Sequence, residues 1–148
     1  MQVDFYQLGQ STPEQVVTLL AAATIGAGAR LLVVHPDQTA RNRLSQALWS
    51  APPIKGKDSF LANGVAGGAH DARQPILLSE RVDAANGARF LLLADGEWRE
   101  GEGFARAFLI FGEDTLEAAR ACWRMLGERD GVERRYWKQE DGRWVQAA

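Results

Sequence analysis

The run Arg30-Leu31-Leu32-Val33-Val34 limits the possible folds more than any other part of this chain. Its four apolar residues follow one another without polar alternation, so both faces of such a strand must be buried, as in a parallel sheet covered on two sides. The run also lies between two segments with helical signatures. Upstream, Ser11-Thr12-Pro13-Glu14 reads as a helix start, with Ser11 and Glu14 forming a capping box and Pro13 in the first turn. Val16, Leu19, Leu20 and Ala23 recur at helical spacing and predict one buried face, and Gly26 and Gly28 predict the stop. Downstream, Pro36-Asp37 opens a second helix with Ala40, Leu44, Ala47 and Leu48 on one face. That helix is expected to end near Trp49, before Pro52-Pro53.

The remaining pattern extends this frame. Strands are expected over 3–8, 75–79, 88–94 and 104–111. Residues 50–73 are rich in Gly, Pro, Ala and Lys and read as loop, with a short ordered piece around Phe60-Leu61. Asp114 is expected to cap a third helix with Glu117 at its N3 position, and Leu116, Ala119, Trp123 and Leu126 form its inward stripe. Strands over 132–138 and 143–145 meet at Asp141-Gly142, a hairpin signal. The expectation is one α/β domain over 1–148, a sandwich with a largely parallel sheet and a C-terminal antiparallel hairpin.

Composition removes several classes of function. The longest apolar runs are far too short to span a membrane. Met1-Gln2-Val3-Asp4 has no basic segment leading into an apolar stretch, so no signal peptide is expected and a cytoplasmic location is the default. A single cysteine, Cys122, excludes an internal disulfide and a cysteine-based zinc site; it reads as a small packed hydrophobe. The net charge of −2 argues against tight binding to a phosphate backbone. Charge is unevenly spread, however. Between Arg120 and Trp144 seven basic residues face five acidic ones, a mild basic bias that suits an acidic peptide better than a duplex.

An α/β pattern raises the question of nucleotide binding, and the glycines answer against it. Gly26-Ala27-Gly28 follows a helix and precedes a strand, the reverse of a dinucleotide fingerprint. Gly64-Val65-Ala66-Gly67-Gly68 has no Lys-Ser/Thr after it, and Lys55-Gly56-Lys57 lacks P-loop spacing. No cofactor, metal ligand set or catalytic group is expected. His35, at the end of a strand and near Asp37, is the one candidate for a small α/β enzyme, as a general base at the strand edge; the competing reading is a residue of the helix-leading turn. His70 has no nameable partner.

Two surfaces read as binding sites. Trp49, followed by Pro52 and then Phe60, places large apolar residues at a helix end beside a Pro-rich loop. Such residues serve as core lids or as interface anchors, and the sequence leaves both open. Arg120 and Arg124, at i and i+4, share a face of the third helix with Trp123 beside them, and Arg135-Tyr136-Trp137 follows.

Several of these segments resemble, in order and spacing, the chi subunit family of bacterial DNA polymerase III. They are Phe5-Tyr6-x-Leu8, Ala47-Leu48-Trp49 with Pro52 and Ser59-Phe60, Val65-Ala66-Gly67, Ala119-Arg120 with Trp123, and Tyr136-Trp137. The resemblance implies a Rossmann-like α/β fold without nucleotide chemistry, and a non-enzymatic adaptor with two protein partners. One is the psi subunit of the clamp loader, facing Trp49, Pro52 and Phe60. The other is the acidic C-terminal tail of single-stranded-DNA-binding protein, facing Arg120, Trp123 and Arg124. Chi proteins can carry a lysine about one turn before the arginine; here Glu117-Ala118 stands there. The resemblance then implies a tail pocket that is weaker or that draws on Arg124 or Arg135. An added stretch over 54–57 implies an altered psi surface.

Overall fold

A computed structural model describes residues 1–51 and 61–148. Pro52, Ser59, Phe60 and the stretch 54–57 lie outside the described residues. The elements run β1 (Gln2–Gln7), α1 (Pro13–Gly26), β2 (Leu31–Val34), α2 (Gln38–Trp49), β3 (Asn63–Val65), β4 (Ile76–Ser79), β5 (Phe90–Leu93), β6 (Arg106–Phe111), α3 (Leu116–Gly127), β7 (Glu133–Glu140) and β8 (Arg143–Gln146). Short 3-10 turns at Asp71–Arg73 and Glu113–Thr115 precede β4 and α3. The strands form one eight-stranded sheet in the order β3-β4-β2-β5-β6-β1-β7-β8. Every pairing is parallel except β7 with β8. The expected α/β sandwich with its terminal hairpin is what the chain forms.

Each face of the sheet carries its own apolar layer. On one face Val16, Val17, Leu20 and Ala21 of α1 and Leu44 and Leu48 of α2 pack on Leu31, Val33, Ile76 and Ile110. On the other, Ala119, Cys122 and Leu126 of α3 pack with Phe5, Leu109 and Phe111. All four residues of β2 are fully buried, as an unalternated strand requires. Cys122 is buried and unpaired, and burial lifts its thiol pKa to about 11.

Three local expectations shift. The first helix is capped by Thr12, not Ser11: its hydroxyl accepts from Gln15 N–H at 3.2 Å, and Gln15 Oε1 accepts from Thr12 N–H at 2.9 Å. Pro13 at the first helical position fixes that frame. The buried stripe keeps the expected Val16 and Leu20 and adds Val17, Ala21 and Thr24, while Leu19 is half-exposed and Ala23 is exposed. Asp114 does not cap α3: it lies inside the 3-10 turn, whose Thr115 hydroxyl accepts from Gly112 N–H at 3.2 Å, and no side chain caps the helix that follows.

The segment read as loop contains a strand. Asn63–Val65 pairs with β4 at the sheet edge, held by Asn63, whose side chain is bonded to Ser45 Oγ at 2.6 Å and to the Leu61 carbonyl at 2.8 Å. The terminal hairpin turns at Asp141 and Gly142, with φ of 50° and 78°, the left-handed pair that a two-residue hairpin of this twist demands.

Candidate functional site

Helix α3 presents Arg120, Trp123 and Arg124 on one flank, because residues three and four apart share a helix face. Strand β7 supplies the opposing wall. Its alternate residues point to opposite sides of the sheet, and the pairing of Phe5 with Tyr136 sets the parity. Tyr136 packs in the layer under α3, whereas Trp137 packs in the layer under α1. The chain beyond β8 keeps pairing: Tyr136 N–H donates to the Ala148 carbonyl at 3.0 Å and Ala147 N–H to the Tyr136 carbonyl at 2.7 Å. Together Arg120, Trp123, Arg124, Tyr136, Ala147 and Ala148 line an open depression of about 330 Å³.

Its walls are packed aromatic rings. Trp123 meets Phe5 edge-on at 5.2 Å, and Tyr136 stacks parallel to Phe5 at 6.5 Å and touches Phe111 at 5.6 Å. The Tyr136 hydroxyl donates to Gln7 Oε1 at 2.5 Å. Burial raises the Tyr136 pKa, with the positive charge of Arg120 working against it. Among the described residues the side chain of neither Arg120 nor Arg124 makes a hydrogen bond or ion pair, so two guanidinium groups border an aromatic socket uncommitted. Such a site can accept a carboxylate through a forked pair of hydrogen bonds and an apolar side chain beside it.

The structure therefore brings Arg120, Trp123 and Arg124 together. It corrects the expected help from Arg135. That residue alternates with Tyr136 and lies on the α1 side of the sheet, beside Tyr6, where burial first and the Asp4 charge second lift the Tyr6 pKa to about 12 while Arg106 and Arg135 oppose them. Sequence reasoning missed Arg134, which reaches under the end of α3, and the wall formed by Ala147 and Ala148. Alternation along β7 puts Arg134 and Arg135 on opposite faces, but only the pairing of Phe5 with Tyr136 decides which one faces α3.

Trp49 ends α2 and is 47% exposed; its companions Pro52 and Phe60 lie outside the described residues. His35 sits in the turn before α2, its Nδ1 accepting from Asp37 N–H at 3.1 Å while Asp37 caps the helix through Ala40 N–H. The two are thus joined as parts of a helix-leading turn. His70 precedes the 3-10 turn at Asp71–Arg73 without capping it. Gly67 and Gly68 N–H groups, which a phosphate would need, already donate to the Asp71 carboxylate at 2.9 and 3.1 Å. The small cleft beyond the C-terminal ends of β1, β5 and β6 is lined by Asp95 and Asp114, the wrong sign for a phosphate. Among the described residues no group of three or more His, Cys, Asp or Glu is placed to hold a metal, and no helix is long and apolar enough to cross a membrane.

The architecture is that of a Rossmann-like α/β domain whose glycine-rich loop is closed by its own aspartate. The family model described as DNA polymerase III chi subunit, HolC, matches residues 1–133, and the chain belongs to that family. It is thereby a member of a family of accessory subunits of DNA polymerase III, and its setting is DNA replication. No curated protein matches the sequence. The matched stretch includes Arg120, Trp123 and Arg124 but ends at Glu133, so Arg134, Tyr136, Ala147 and Ala148 lie beyond it.

Proposed function

We propose that this chain is a non-enzymatic cytoplasmic adaptor that links the clamp loader to single-stranded-DNA-binding protein. The depression between α3 and β7 holds the partner's acidic C-terminal tail. Arg120 takes the terminal carboxylate, Trp123 and Tyr136 wall the last apolar side chain, and Arg124 attracts the acidic residues upstream. The observation that carries this reading is the pair of uncommitted guanidinium groups beside a rigid aromatic socket in one depression. The surface bearing Trp49, together with Pro52 and Phe60, faces the psi subunit or another partner sharing that surface.

Sedimentation of this chain with full-length single-stranded-DNA-binding protein, and with a version cut short of its acidic tail, tests the reading. Co-sedimentation with the full-length protein alone is expected. Equal co-sedimentation with both would place the contact elsewhere.

A further inference from the structure

Arg134 is not among the residues that line the depression, yet it makes two close contacts to one that does, Trp123. Its guanidinium carbon lies 4.2 Å from the centroid of the Trp123 ring, within stacking distance. Its Nη1 also donates to the Trp123 carbonyl at 2.6 Å, in the last turns of α3. One arginine thus grips both the ring and the backbone of the same tryptophan. It can do so only because Gly127 ends the helix without a side chain. A Cβ at Gly127 would stand 2.5 Å from Arg134 Nη1 and 2.6 Å from its Cζ. Gly127 has ordinary helical backbone, so its lack of a side chain serves the passage of Arg134 and not a turn.

We infer that Arg134 is a positioning residue for the tail site: passing beneath Gly127, it clamps the Trp123 indole in the orientation that keeps the socket open. This rests on the tail-binding reading above. The clamp spares the partner the cost of ordering a large side chain when it binds, which lengthens the life of the complex more than it speeds encounter. Charge alone does not make the clamp. Lysine at this position keeps the positive charge but loses the flat stacking surface and the fork.

Gly127→Ala separates this role from a structural one. Alanine favours the helix over glycine, and the added methyl displaces only the far end of a flexible side chain. The test compares wild type, Gly127→Ala, Arg134→Lys and Arg120→Ala. Each chain carries 5-fluorotryptophan, with the Trp123 resonance assigned through Trp123→Phe. The probe is a labelled acidic peptide ending in Asp-Asp-Phe with a free carboxylate.

In the absence of peptide, Gly127→Ala and Arg134→Lys should shift the Trp123 fluorine resonance, and Arg120→Ala should not. Both clamp variants should release the peptide about tenfold faster, with association within about twofold of wild type. Gly127→Ala should melt at or above the wild-type temperature. An unchanged resonance in Gly127→Ala overturns the clamp, as does a shifted resonance with wild-type dissociation. A wild-type chain that fails to bind the peptide overturns the tail-site reading instead, and the fluorine shifts show separately whether Arg134 holds the ring.

Discussion

Trp123 and Tyr136 meet edge to face, with ring centroids 5.8 Å apart and planes at 83°. One ring comes from α3 and the other from β7, so the socket is also the joint between helix and sheet. Removing a ring should therefore harm the fold more than removing the tyrosine hydroxyl. Tyr136→Ala is expected to cost about 2 kcal/mol of stability through lost contacts with Phe5, Phe111 and Trp123. Tyr136→Phe should lose only the bond to Gln7, about 1 kcal/mol, and keep tail binding. Urea unfolding of both variants checks this; equal losses would show that the hydroxyl, not the ring, secures the joint.

Asp4 is fully buried and its Oδ2 accepts from Arg106 Nε at 2.7 Å. Gln2 and Trp137 donate more weakly, at 3.1 and 3.3 Å. Arg106→Ala leaves a buried carboxylate short of its main partner and is expected to cost about 3 kcal/mol in urea unfolding at neutral pH. A loss below about 0.5 kcal/mol would mean that the two weaker donors suffice.

Burial lifts the Cys122 thiol from 9.0 to about 11. A folded-state pKa above the unfolded one gives stability that is complete below pH 9 and is lost as the pH climbs from 9 towards 11, because the unfolded chain ionises first. The buried Tyr6 hydroxyl, lifted from 10.0 to about 12, adds a later decline. The urea midpoint should fall between pH 9 and 11 in the wild type, and fall less in Cys122→Ala over that window. Identical slopes for the two chains would remove Cys122 as the cause.

Trp49 is about half exposed at the end of α2, and the proposed function makes it an interface anchor. Trp49→Ala should change the melting temperature little while weakening the proposed contact with psi, or with another partner at that surface, by about 2 kcal/mol or more. A loss of several kcal/mol of folding stability would make Trp49 a core residue.

The fold was legible because its central strands are continuous apolar runs and its first two helices begin at capping residues. Both signals are local. The errors fall where a tertiary contact or a competing local cap decides. Asn63-Gly64-Val65 looks like a turn by composition, yet buried Asn63 and the pairing with β4 draw it into the sheet; Gly64 also gives room to Gln74, whose side chain would lie 2.8 Å from a Cβ there. The Asp114–Glu117 capping pattern gave way to a 3-10 turn closed by Thr115. At the candidate site, helical spacing sufficed to group Arg120, Trp123 and Arg124. The choice between Arg134 and Arg135 depended on which parity of β7 faces α3. Only the register of Phe5 against Tyr136 fixes that, and no pattern within β7 contains it.

The anchor role of Arg120 is the point on which the tail-binding reading turns. Calorimetry of the acidic tail peptide at moderate salt, against wild type, Arg120→Ala and Arg124→Ala, tests it directly. The anchor variant should lose about 2 kcal/mol or more of binding, and the rim variant clearly less, with its deficit shrinking as salt rises. Wild-type affinity in Arg120→Ala would contradict the assignment.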